Sequence, residues 1–93
     1  MKIIPLSSVA SYKQGTLVGV TYDQIVTKLG FKPNVQDDTS KVRWSWGFQV
    51  SGHKMAIWDW RGSADDNRWS FFGPSDVMAD FFGERSVTVG LGW

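Results

Sequence analysis

Between Val42 and Val50 apolar side chains alternate with polar or small ones: Val42, Trp44, Trp46, Phe48 and Val50 against Arg43, Ser45, Gly47 and Gln49. A period of two predicts a strand with one buried face, because successive side chains point to opposite sides of the pleat. Ser51-Gly52 suits a tight hairpin turn, and Lys54 to Trp60 makes the return strand. Pairing Val50 with His53 sets Phe48 opposite Met55, Trp46 opposite Ile57 and Trp44 opposite Asp59. One face of the hairpin is then Trp44, Trp46, Phe48, Met55 and Ile57. The other is Arg43, Ser45, Gly47, Gln49, Lys54, Ala56, Trp58 and Trp60, two indoles among small and cationic neighbours.

The flanking segments read as a small mixed domain. Lys2 to Leu6 can form a short strand, but Pro5 cannot donate to a ladder, so it belongs at an edge or in an arm. Thr16 to Val20 is β-prone. Thr21 then serves as an N-cap, with Gln24 completing a capping box, and Gly30 stops the helix. Within it Tyr22, Ile25, Val26 and Leu29 make one apolar stripe suited to packing on a sheet. Pro33 bars continuation, and Asn34 to Lys41 is a polar loop. After the turn-rich Gly62 to Asn67, Arg68 to Phe72 reads as a third antiparallel strand. An even loop places Trp69 and Phe71 beside Trp58 and Trp60, whereas a single bulge sends them to the opposite face. Ser75 caps a second helix, Asp76 to Phe82, ended by Gly83, and Val87 to Trp93 alternates as a last strand. The expected architecture is α+β, one domain over residues 1–93, an antiparallel sheet in the order β-α-β-β-β-α-β with helices packed on it.

Composition narrows the chemistry. Ten Lys+Arg against nine Asp+Glu give a net charge of +1, so any charged partner must be met by a local patch. No cysteine is present, which removes disulfides, thiolate catalysis and thiolate zinc sites. The apolar run after Lys2 is short and broken by Pro5, so an unexported, cytoplasmic protein is expected. Asp37-Asp38 and Asp65-Asp66 lie in polar loops without the spacing of a calcium site. His53 stands alone at the hairpin tip, a poor general base. No phosphate-cradling glycine loop, nucleophile elbow or zinc-binding helix motif occurs, so no catalytic residue, metal or cofactor is assigned and the protein is read as a non-enzyme. Asp59, on the apolar face between two tryptophans, needs a partner, for which Arg61 or Arg68 is the candidate.

Six tryptophans in 93 residues are the strongest functional signal. Tryptophan joins a large apolar area to a polar edge and dominates binding hot spots when left near a surface. The second hairpin face could be a further core layer under a helix, a platform for a small ligand, or a surface for a protein partner. On the ligand reading Trp58, Trp60 and Trp69 stack against a flat group while Arg43, Lys54 and Arg68 contact an anion.

The run Ala56-Ile57-Trp58-Asp59-Trp60-Arg61, followed by Trp69-Ser70-Phe71-Phe72-Gly73, resembles a group of small tailed-bacteriophage proteins over roughly Thr21 to Val77. Those proteins carry a short capped helix ending in Phe/Leu-Gly, a strand like Thr-Ile-Tyr-Asp-Trp-Lys, then a Trp-His-Ile-Gly-Gly-like segment. Here Trp58 replaces the tyrosine, and Ser70-Phe71-Phe72 replaces His-Ile-Gly. The resemblance implies a phage-encoded accessory protein of the infected bacterial cell, a class in which binders that blunt host defence are common. The expected function is sequestration of a nucleotide-like immune signal. The alternatives are inhibition of a host defence protein in the anti-CRISPR manner, or a virion or assembly component that forms a homo-oligomer through the C-terminal strand.

Overall fold

A computed structural model describes residues 2–36 and 40–90. The central hairpin is formed by β3 (Val42–Val50) and β4 (His53–Trp60), in the expected register from Val50–His53 to Trp46–Ile57. Ser51 and Gly52 turn the chain with φ of 50° and 81°, both left-handed, which matches the right-handed twist of the strands. The third strand, β5 (Arg68–Phe72), pairs with β4, and β2 (Gly15–Val18) pairs with β5. Two short edge strands complete the sheet, β1 (Ile3–Pro5) beside β3 and β6 (Val87–Val89) beside β2. All pairs are antiparallel, in the order β1-β3-β4-β5-β2-β6. This is the expected α+β class with an edge strand added at the start, where Pro5 sits on the sheet margin. The last strand is seen to Val89; its expected continuation to Trp93 lies outside the described residues, as does Asp37-Asp38.

Local chemistry sets the helices. In α1 (Tyr22–Leu29) the Thr21 hydroxyl accepts from the Gln24 N–H at 3.1 Å, and the Gln24 side chain accepts from the Thr21 N–H at 2.8 Å. The capping box is complete, and Gly30 closes the helix at φ 91°. In α2 (Ser75–Phe82) the expected Ser75 cap is corrected: Pro74 holds the cap position and Ser75 is the first helical residue, with no side-chain cap bond. Proline before the first turn fixes the chain direction without costing a needed N–H.

Both helices cover the same face of the sheet. Leu17, Trp46, Phe48, Met55, Ile57, Trp69 and Phe71 are fully buried there with Ile25 of α1 and Met78 of α2. Two of the indoles hold α1 at its two ends. Trp69 Nε1 donates to the Val20 carbonyl just before the helix at 2.7 Å, and Trp46 Nε1 donates to the Phe31 carbonyl just after it at 3.0 Å. Tyr22 and Trp44 extend the cluster, with ring centroids 5.1 Å apart, and Trp46 and Trp69 meet edge to face at 5.5 Å. Burying a tryptophan N–H without a partner would cost much of what its ring gains, so these bonds are part of the packing.

Trp69 is therefore corrected from the open face to the core. Ser70 pairs with Trp58, so Trp69 and Phe71 fall on the side of Ile57 and Asp59. The cause is the connection: Arg61 leaves the strand at φ 53°, a 3-10 turn spans Ser63–Asp66, and Asn67 turns back at φ 56°. Residues 61–67 make an odd loop, and the parity of the register changes with it.

Among the described residues no helix covers the second face. It is crossed by an irregular strap, residues 6–14, that leads from β1 at one edge to β2 between β5 and β6. Leu6 N–H donates to the Gly47 carbonyl at 2.9 Å, and the Asn34 side chain bonds Leu6 and Gly47 together, donating to both carbonyls and accepting from the Gly47 N–H. Glycine is required at 47, where a Cβ would lie 2.7 Å from the Leu6 carbonyl oxygen and 3.0 Å from a Val9 methyl. Farther along, Tyr12 of the strap meets the Phe72 ring at 5.1 Å.

Candidate functional site

The open face takes its shape from an irregularity in β3. The ladder pairs Ser45 with Trp58 but Val42 with Trp60, so three steps on one strand oppose two on the other. Such a bulge strands two backbone N–H groups, and here both are met by one side chain. Asp59 Oδ1 accepts from the N–H of Arg43 at 2.8 Å and of Trp44 at 2.9 Å, while its Oδ2 receives Arg43 Nε at 3.0 Å. Arg43 also reaches Asp65 at 3.0 Å and lies over the Trp44 ring. Its guanidinium pKa is raised, first by the hydrogen bond to Asp65 and then by that to Asp59.

These contacts revise two expectations. The partner of buried Asp59 is Arg43, not Arg61 or Arg68, because the bulge swings Arg43 toward the carboxylate. Arg43 is in turn removed from the set of ligand cations, since two carboxylates already hold it. Val42 moves the other way, from the expected apolar face to the side of Trp60.

At this end of the face Trp58 is partly buried and Trp60 is 39% exposed. They border a cleft of about 200 Å³ whose walls include Val42, Ser45 and Ala56 of the hairpin, Val35, and Val9 and Ser11 of the strap. Lys41 Nζ sits 5.9 Å from the centre of the Trp60 ring and the Arg61 guanidinium carbon 5.3 Å from it, both within cation–π range. The same two cations line a neighbouring open depression of about 550 Å³ with Ser40, Arg43, Gly62 and Asp65. Trp60 thus borders a cleft of mixed polar and apolar lining, and the two cations beside its ring line the depression next to it together with Asp65. The position of Trp60 is fixed by its own N–H, which donates to the Ser63 hydroxyl at 3.1 Å, and by the Arg61 N–H, which donates to the Lys41 carbonyl.

The expected ligand contacts are only partly assembled here. Arg68 is exposed on the same face as Trp60, beside Val18 on β2. Lys54 also faces this side, but six positions along β4 from Trp60, where it joins a different depression with Tyr12 and Phe72. Lys41 and Arg61 were not legible as ligand residues, because one lies in a polar loop and the other reads as a candidate partner for Asp59. A fourth concavity, about 460 Å³ between α1 and α2, has Phe81 and Phe82 in its wall with Asp23 and Lys28 of α1. It offers mixed charge where the Trp60 end offers an indole with two cations.

Ser70 lies on the open face with its Oγ buried and without a hydrogen-bond partner among the described residues. Among those residues no three His, Asp or Glu side chains come together to hold a metal ion, and no helix is long and apolar enough to cross a membrane. No protein family, curated protein or solved structure matches the chain.

Proposed function

We propose that this is a non-enzymatic binding protein that captures an anionic ligand bearing a flat aromatic group, of the nucleotide class, at the Trp60 end of the open sheet face. The observation that carries the reading is Trp60 itself, an exposed indole on the rim of a small cleft and flanked by Lys41 and Arg61, which line the next depression. A planar ring laid on an aromatic platform contributes about 1–3 kcal/mol per base, and cations beside the ring add to it. The cleft, about 200 Å³, suits a ring and not a whole nucleotide, so the phosphate is left to Lys41 and Arg61 in the depression, where Asp65 is already paired with Arg43. In the bacteriophage setting implied by the resemblance, such a protein acts stoichiometrically, withdrawing a nucleotide signal from host defence.

Calorimetric titration with thymidine, adenosine and guanosine monophosphates and with cyclic dinucleotides tests this reading. Saturable binding is expected for at least one of them. Trp60→Ala and Arg61→Ala should each weaken it at least about tenfold, some 1.4 kcal/mol, with the melting temperature lowered by no more than about 4 °C. Absence of binding across the panel to millimolar concentration would refute it.

A further inference from the structure

A second aromatic and cationic patch occupies the far end of the same face. Tyr12 of the strap is 65% exposed, packs edge-on against Phe72, and shares with Lys54 and His53 an open depression of about 630 Å³. Lys54 is six positions along β4 from Trp60, roughly 20 Å at about 3.3 Å per residue. Between the patches the strap presents Ser8, Ala10 and Ser11, exposed small side chains, and neither the strap nor the described sheet face beneath it contains an acidic residue. At the Trp60 end Asp59 and Asp65 are both paired with Arg43, while on the other side of the molecule α1, α2 and the turn after α2 carry Asp23, Asp76, Asp80 and Glu84 against Lys28 and Arg85.

We infer that the two patches are ends of one track, and that the ligand is a short single-stranded nucleic acid lying along the open face. This rests on the reading of Trp60 given above and extends it from a nucleotide to a strand. Single-strand binders pair a cationic path for the backbone with aromatic side chains on which successive bases stack. Here Trp60 and Trp58 form one stacking station and Tyr12 the other, with Lys41, Arg61 and Arg68 at one end and Lys54 at the far end. The hydroxyls of Ser8 and Ser11 lie between, suited to sugar and phosphate oxygens. At a stacked phosphate spacing of about 3.4 Å the track spans about six nucleotides, and fewer if the strand is extended. The acidic helix side repels the same polyanion, so binding is confined to one face.

Fluorescence anisotropy with labelled oligothymidylates of increasing length, from the dinucleotide to the dodecamer, together with calorimetry on thymidine monophosphate, tests the inference. Affinity should climb with length and level off near six nucleotides. Its log–log salt slope should reach roughly −2 to −3, as expected for three or four phosphate contacts on a single strand. Tyr12→Ala and Lys54→Ala, both at exposed positions, should weaken the hexamer several-fold and leave thymidine monophosphate binding unchanged. Trp60→Ala should weaken every length. Affinity independent of length, with Tyr12→Ala and Lys54→Ala matching the parent, would overturn the track and leave the nucleotide reading standing. No binding of any length would overturn both. Equal competition by an oligoglutamate of the same charge would reduce the face to a charge-only surface and overturn the nucleic-acid assignment.

Discussion

The two faces of one sheet use tryptophan in opposite ways. On the helix side Trp46 and Trp69 are fully buried, each N–H is spent on a backbone carbonyl at one end of α1, and the rings pack against each other and Tyr22. On the strap side Trp60 keeps 39% of its surface and is met by cations instead of carbonyls. Residue type does not separate these roles; the cover does. A helix seals its face with a continuous apolar stripe, whereas an irregular strap nine residues long, 6–14, closes only the middle of the other face and leaves both ends open.

Substitutions should divide along the same line. Trp69→Ala carries the largest effect, because it empties a core site and strands the Val20 carbonyl. A loss of about 3–5 kcal/mol is expected in urea unfolding, and a loss under 1 kcal/mol would contradict the sealed-core assignment. Next comes Asp59→Ala, which removes the acceptor for two bulge N–H groups and the partner of Arg43. It should cost about 3 kcal/mol, and Asn at the same position, still able to accept one bond, should cost less.

Gly47→Ala probes the strap. The added methyl meets the Leu6 carbonyl and Val9, so the strap must lift, at about 1–3 kcal/mol. Hydrogen exchange should then accelerate in the strap while amides of β4 and β5 stay protected; uniform acceleration would mean that the strap is part of the core. Ser70→Ala removes a buried hydroxyl with no partner among the described residues and should be neutral or stabilising by up to about 1 kcal/mol in thermal unfolding. Trp60→Ala should change stability by no more than about 0.5 kcal/mol, as for other substitutions on an open surface. For Trp58→Ala, ligand affinity should fall by much more than stability does; equal losses would place Trp58 with the core.

The sequence disclosed what is decided locally. Thr21 and Gln24 cap a helix through groups three residues apart, and Ser51-Gly52 closes a hairpin whose alternation already assigns each side chain a face. What escaped depends on conformations that a pattern does not encode. Arg61 and Asn67 adopt left-handed backbones uncommon for residues with side chains, and the odd loop they bound places Trp69 across the sheet. The bulge at Val42 to Ser45 likewise exchanged the roles of Val42 and Arg43. The partnership of Trp60 with Lys41 joins residues nineteen apart across the base of the hairpin, and only the folded register brings them together.

The most direct measurement follows the indole N–H resonances of nitrogen-15-labelled protein during titration with oligothymidylate. The Trp58 and Trp60 signals should shift saturably, while those of Trp46 and Trp69, held on the Phe31 and Val20 carbonyls, should stay in place. Shifts confined to Trp46 and Trp69, or no shift of Trp60 at saturating ligand, would contradict the assignment of the binding face.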